Sequence, residues 1–305
     1  MPIKIPNKLP ARAKLEGENI FVMTETRAIT QDIRPLKIAI LNLMPTRITT
    51  EIQLLRLLGN TPLQVDIDLI RLDSHIPQNT PQEHLLAFYR PFSEAKNDKF
   101  DGLVITGAPV EHLDFKEVDY WDELCAVMDW SVTSVTSTLH ICWGAQAGIY
   151  HHYGIGKVPK DRKISGVYPH TVLNGLKMLL RGFDQSFLTP HSRWMGIDEE
   201  ALAKCAELEP LVVSPMVGTH IVTSKKGKHI FVFGHMEYDA MTLADEYFRD
   251  LEKGENPAVP YNYFPDDDPK KTPLATWRAH ANLLFSNWLN YHVYQTTPYD
   301  ISQIG

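Results

Sequence analysis

The sequence predicts an α/β fold, a mostly parallel sheet with helices on both faces, and three observations predict it. Residues 37–44 (KIAILNLM) and 102–106 (GLVIT) are short, nearly continuous apolar runs, as expected of strands buried on both faces of a parallel sheet. Helical stretches alternate with them, the arrangement that lays helices over a parallel sheet. Residues 134–153 (SVTSTLHICWGAQAGIYHHY) read as a buried strand, an abrupt turn at Cys142 and a helix start built from small residues.

The elements follow in order. After the first strand, Thr50 and Gln53 have capping-box spacing, and Ile52, Leu54, Leu55 and Leu58 form a stripe that stops at Gly59-Asn60. Leu63, Val65, Ile67 and Leu69 alternate with polar residues, which places the next strand nearer an edge. Thr80-Pro81 with Glu83 opens a helix through Phe88. The strand at 102–106 runs into Gly107-Ala108-Pro109-Val110-Glu111, a loop at the sheet end where such folds build sites. An amphipathic helix is expected over 119–130, then the turn at Cys142. Residues 157–170, rich in Lys, Arg and Gly, read as a loop over the site. A short strand over 187–190 delivers His191, Ser192 and Arg193. A hairpin over 219–224 and 229–233 turns at Lys226-Gly227 and ends at Gly234-His235-Met236-Glu237. A helix over 242–251 carries Arg249, a Pro/Asp/Asn-rich excursion fills 254–273, and a final helix spans 277–294. No segment is composed like a hinge, so one domain over 1–305 is expected, with 1–36 as an N-terminal extension packed on the core.

Composition excludes several functions. A net charge of −7 over 305 residues disfavours nucleic acid or an anionic membrane as partner, since both select basic surfaces. Three cysteines without paired spacing argue against a disulfide framework or zinc ribbon and for a reducing cytoplasm. No apolar run is long enough to span a bilayer, and the N-terminus lacks the apolar core of a signal peptide.

The turn at Cys142 has the pattern of a nucleophile elbow with Cys in place of Ser. A helix N-terminus favours a thiolate, and a nearby imidazole would accept the proton. The Trp143 N–H would point where an oxyanion develops. The bland reading is a small residue filling a sheet–helix junction. Among thirteen histidines, His235 stands out by position: it ends a strand after a glycine, and Glu237 lies two residues on, on the same side of an extended segment. That is a base and the carboxylate that orients it. The alternative is a hairpin-end pair making local hydrogen bonds. A metal site is not expected, because His151 and His152 point about 100° apart on a helix and no HExxH or CxxC pair is present.

With the elbow and the His-x-Glu pair in place, the chain resembles the homoserine O-acyltransferases of the MetA type, whose fold is that of class I glutamine amidotransferases. The resemblance runs over nearly the whole chain: NIFVMT at 19–24, LNLMP at 41–45, TGAPVE at 106–111, HICWGAQAG at 140–148, PHSR at 190–193 and FSNWLNY at 285–291. It implies an acyl-CoA donor, an acyl-thioester on Cys142 and transfer to the hydroxyl of L-homoserine, an early step of methionine biosynthesis, with no cofactor beyond acetyl-CoA as co-substrate. It further implies that Gly107 or Ala108 supplies a second oxyanion N–H and that Lys163, Ser192 and Arg249 line the substrate site. Without it, Lys163 reads as an ordinary loop lysine and Arg249 as a solvated helix charge. The family often has lysine after the first strand. Thr46-Arg47 stands there here, so Arg47 is expected only near the CoA phosphates. Acetyl and succinyl donors divide at the position of Glu111: a carboxylate there repels and displaces a succinyl group, which predicts acetyl transfer. Two other readings stand beside this one, a glutamine amidotransferase-like hydrolase and a non-catalytic thiol sensor. The aromatic-rich C-terminal helix would serve a homodimer interface as readily as a core.

Overall fold

The computed structural model describes residues 34–75 and 80–305, together with the backbone of two short strands near the N-terminus, β1 (Ile3–Ile5) and β2 (Val22–Thr24), which pair in parallel. The expected packing of the 1–36 extension, and the Asn19-Ile20-Phe21 part of the family resemblance, lie outside the described residues.

A ten-stranded mixed sheet organises the chain, in the order β5-β4-β3-β6-β7-β12-β11-β10-β8-β9. Its parallel half is β5 (Tyr89–Pro91), β4 (Val65–Arg71), β3 (Leu36–Leu41), β6 (Phe100–Ile105), β7 (Val135–Ile141) and β12 (His229–Val232). From β12 the sheet continues antiparallel through β11 (Gly218–Ser224), β10 (Leu208–Ser214), β8 (Lys157–Val172) and β9 (Ser186–Ile197). The strand expected near an edge is β4, second from the end.

The apolar runs have a simple cause. Successive side chains of a strand point to opposite faces, and both faces of β3 are covered. Ile38 and Ile40 join one core with Leu54 and Leu57 of α1 (Arg47–Leu58). Ala39 and Leu41 join the other with Leu124 and Val127 of the helix Trp121–Ser134. Helix α2 (Trp143–Tyr153) follows Cys142, and α3 (Thr242–Glu252) and α4 (Arg278–Asn287) lie toward the C-terminus. Past α4 the chain continues as a π-helical turn, Trp288–Tyr294. Phe285 and Trp288 are fully buried in the first core, and Trp288 Nε1 donates to Ser137 Oγ at 3.0 Å, so these C-terminal aromatics serve the chain's own core.

Four expectations need correction. The helix after Thr80 opens at Gln82 behind Pro81, and Thr80 Oγ1 caps nothing. Helix α1 starts at Arg47 after Thr46, and Thr50 Oγ1 donates to the Thr46 carbonyl instead of capping. Residues 157–170 are a strand and not a covering loop, because β8 pairs with β9 from Lys157↔Ile197 through Thr171↔Ser186. The strand at 187–190 likewise runs on to Ile197. Within this hairpin the register jumps from Pro159↔Met195 to Ile164↔Arg193, so residues 160–163 bulge out of β8 while β9 advances by only one intervening residue.

Candidate active site

Cys142 links β7 to α2 with φ 51° and ψ −116°. A side chain pays strain in that region, and it persists because the surroundings hold the turn. The Cys142 N–H donates to Val232 O at 2.8 Å, and the Ala145 and Gln146 N–H groups donate to Cys142 O. A Cβ on Gly144 would lie 2.5 Å from Thr106 O, so only glycine lets α2 start this close to the end of β6. The strand, the strained turn and the small-residue helix expected from sequence are all present. The thiol is buried.

His235 follows β12, with its N–H on Pro190 O at 2.8 Å. Its Nδ1 lies 2.7 Å from Glu237 Oε1, and both side chains are buried. With Nδ1 committed to Glu237, Nε2 is the ring nitrogen left to interact with Cys142, which lies close enough to act on the ring's protonation. Burial alone would depress the pKa of His235, but the neighbouring Cys142 and Glu237 outweigh it and hold the pKa well above the usual histidine value. The Tyr238 ring stacks on His235 at 4.1 Å between centroids, and its hydroxyl donates to Glu246 Oε1 at 2.8 Å. Burial and the neighbouring Glu246 and Glu237 keep that phenol protonated, so it remains a donor.

Gly107 lies against the elbow: a Cβ there would be 3.3 Å from Cys142 Cβ and 3.6 Å from the Trp143 N. Trp143 is the first residue of α2, so its N–H has no acceptor inside the helix. Ala108 is buried beside Gly107.

Helix α3 gathers the residues expected to bind substrate. Lys163 Nζ reaches Asp250 Oδ2 at 2.8 Å, and Arg249 forks onto Asp250 Oδ1 through Nε at 2.9 Å and an Nη at 2.7 Å. Burial would raise the Asp250 pKa, but the two cations lower it on balance. Ser192 Oγ donates to Glu246, one turn before Asp250. Asp250, Glu246 and Tyr238 were not singled out from sequence, because two carboxylates on an amphipathic helix look like ordinary solvated charges. A cleft of about 630 Å³ opens here, lined by Lys163, Tyr168, Trp194, Tyr247 and Asp250. A second, of about 920 Å³, is bordered by Glu237, Gln53, Arg56 and Arg278.

Glu111 meets β9. Its Oε2 accepts from Trp194 N–H at 2.9 Å and Met195 N–H at 3.2 Å, and its own carbonyl accepts from Lys157. Arg47 lies elsewhere: its guanidinium is buried 5.2 Å from the Tyr89 ring centre, and it lines neither cleft.

One group of side chains has the composition of a metal site. His170, His191 and His220 are buried, with nitrogens within 4.8 Å of one another. Their tautomers do not suit an ion. Gly234 N–H donates to His220 Nδ1 at 3.2 Å and Arg193 Nε to His191 Nδ1 at 3.4 Å. In the neutral rings both Nε2 atoms therefore carry hydrogen and offer no lone pair.

Burial holds His170 and His229 at about 4 and His152 at about 3, and pushes His140, His191 and His220 well below the usual value. Each depressed histidine makes the unfolded chain take up a proton near pH 6.5 that the native state refuses. Stability is therefore full above that pH and is lost as pH falls toward 4. The urea midpoint is expected to drop steadily between pH 7 and pH 5, and a flat or rising profile would contradict this origin of acid lability.

A family model described as homoserine O-succinyltransferase matches residues 2–299. The chain belongs to this family of homoserine acyltransferases. The homoserine O-acetyltransferase of Acetivibrio thermocellus is 58% identical over 304 residues, covering 100% of both chains. That of Methanomethylophilus alvi is 57% identical, covering 100% of this chain and 99% of the relative. That of Clostridium novyi is 59% identical, covering 98% and 99%. Among solved structures, a glutamine amidotransferase from Thermotoga maritima superposes with a TM-score of 0.55 at 14% identity, covering 84% of this chain and 98% of that one. One from Methylobacillus flagellatus gives 0.50 at 10%, covering 85% and 95%. At that identity the likeness shows the fold, which is glutamine amidotransferase-like as the resemblance implied. No described helix is long and apolar enough to cross a membrane.

Proposed function

We propose that this acyltransferase moves an acetyl group from acetyl-CoA to the hydroxyl of L-homoserine through an acyl-Cys142 intermediate, giving O-acetyl-L-homoserine for methionine biosynthesis in the cytoplasm. The observation that carries the chemistry is an elbow Cys142 close enough to His235 to act on its protonation, with Glu237 2.7 Å from the ring's Nδ1. In the first half-reaction the Cys142 thiolate attacks the thioester carbonyl. The oxyanion is met by N–H groups of Trp143 and of Gly107 or Ala108. The departing CoA sulfur takes the His235 proton.

Acylation then changes the base. The thiolate that helped raise the His235 pKa has become a neutral thioester, so one of the charges favouring imidazolium is gone. The ring is left neutral, ready to take the homoserine hydroxyl proton as that oxygen attacks the acyl group. Expulsion of the Cys142 thiolate restores the resting ion pair. The whole cycle needs no cofactor.

Homoserine carries a carboxylate and an ammonium group, and α3 together with β8 and β9 offers a complement to each: Arg249 with Lys163 for the carboxylate, Glu246 with Ser192 for the ammonium end. Bidentate geometry suits arginine for the first.

The acetyl donor is supported by Glu111 and by the names of the relatives. In this reading Glu111 borders the acyl group and carries a charge that a succinyl carboxylate would have to meet. Acetyl-CoA is expected to exceed succinyl-CoA in kcat/KM, and Glu111→Gly is expected to raise the succinyl-to-acetyl ratio by about 100-fold, the scale of a relieved like-charge and steric clash. Wild-type preference for succinyl-CoA would defeat the donor assignment in favour of an O-succinyltransferase.

A further inference from the structure

The register jump in the β8–β9 hairpin has a consequence at Glu111. Where residues 160–163 leave the sheet, the pairing passes from Arg193 to Met195 with no partner for Trp194. The sheet supplies no partner there, and the Glu111 carboxylate takes both the exposed Trp194 N–H and the half-buried Met195 N–H. The same bulge carries Lys163 to Asp250, so one irregularity shapes both the acyl side and the amino-acid side of the site.

The other face of this peptide segment is also held. Arg193, 2% exposed, donates one Nη to Met195 O at 2.8 Å and the other to Val217 O at 2.7 Å. Gln146, in the first turn of the elbow helix, donates its Nε2 to the same Met195 O at 3.1 Å. The guanidinium hydrogen bonds thus go to two carbonyls and an imidazole, all neutral, so its geometry serves to fix backbone.

We propose that Arg193, assisted by Gln146, is a positioning residue for acyl-donor selection: it clamps the Met195 peptide so that the Trp194 and Met195 N–H groups hold Glu111 across the acyl pocket. The proposal rests on the reading of Glu111 as the donor selector. Glu111 is then a latched wall, and its selectivity depends on residues that never touch the acyl group. Burial depresses the Arg193 pKa, while Cys142, Glu111, Glu199 and Tyr168 oppose that, so both the elbow and Glu111 lie within electrostatic reach of this cation.

The test compares kcat/KM for acetyl-CoA and succinyl-CoA in Arg193→Lys, Gln146→Leu, Glu111→Gly and the double variants with Glu111→Gly. Lysine keeps the charge at Arg193 but not the fork. Gln146→Leu leaves the buried guanidinium intact, so it reports even if the Arg193 variant does not fold. Loosening the latch should raise the succinyl-to-acetyl ratio by about tenfold in Arg193→Lys and a few-fold in Gln146→Leu, with no further rise when either is added to Glu111→Gly, because the latched group is already gone. A lower kcat with an unchanged ratio in the folded single variants would overturn the proposal and leave these residues as supports of the elbow alone. An unchanged ratio in Glu111→Gly itself would instead overturn the underlying reading of Glu111.

Discussion

Replacing Cys142 by alanine is expected to lower kcat/KM for acetyl transfer by about 10⁴-fold or more, the scale seen when a covalent nucleophile is removed from a triad. The expectation is that severe because no other group can stand in. Cys125 and Cys205 are free but belong to the helix Trp121–Ser134 and to the end of the helix Glu199–Lys204, not to the β7–α2 turn, and burial together with nearby carboxylates raises the Cys125 pKa to about 11. Without the thiol, transfer would need direct attack by homoserine on the thioester, with the oxyanion N–H groups and bound substrate as the remaining aids. Initial rates with a thiol-specific reagent for released CoA check this. Activity within tenfold of wild type would place the nucleophile elsewhere. Because alanine must also adopt the φ of 51° at this turn, near-UV circular dichroism should accompany the rates.

His235→Ala is expected to cost about 10³-fold in kcat, within the range for a positioned acid–base group, and both half-reactions should suffer. The first loses the imidazolium that pairs with the thiolate and protonates CoA. The second loses the base for homoserine. Removing the ring also leaves Glu237 buried without the partner at 2.7 Å, so Glu237→Gln, which preserves shape, is the cleaner companion and should cost less. If single-turnover acylation ran normally in His235→Ala and only deacylation slowed, the proposed role in creating the thiolate would be wrong.

The parts of the site readable in the sequence were those set by local spacing. Cys142 was visible because β-branched residues before it and small residues after it describe one turn, and Gly144 is small for a reason that 2.5 Å from Thr106 O makes plain. His235 and Glu237 lie two residues apart at a strand end, so their contact needs no knowledge of the rest of the chain. The β8–β9 hairpin was hidden because Pro159, Gly166 and Pro169 are loop formers elsewhere, and its 160–163 bulge interrupts the alternation that marks a strand. Lys163, Ser192 and Arg249 gained meaning from the family resemblance, and their partners Asp250 and Glu246 had no local signal. Arg193 stands in the PHSR motif, but nothing in a sequence separates a buried guanidinium bonded to carbonyls from an exposed one.

The most direct test of the account is intact-mass spectrometry of the protein mixed with acetyl-CoA and no acceptor, followed by addition of L-homoserine. The chain should gain one acetyl group, mapped to Cys142 and labile to hydroxylamine as a thioester is, and homoserine should remove it while O-acetyl-L-homoserine appears. Absence of any adduct with acetyl-CoA alone in a preparation that is active once both substrates are present, or an acetyl group on Cys142 that persists when homoserine is added, would contradict an acyl-Cys142 intermediate.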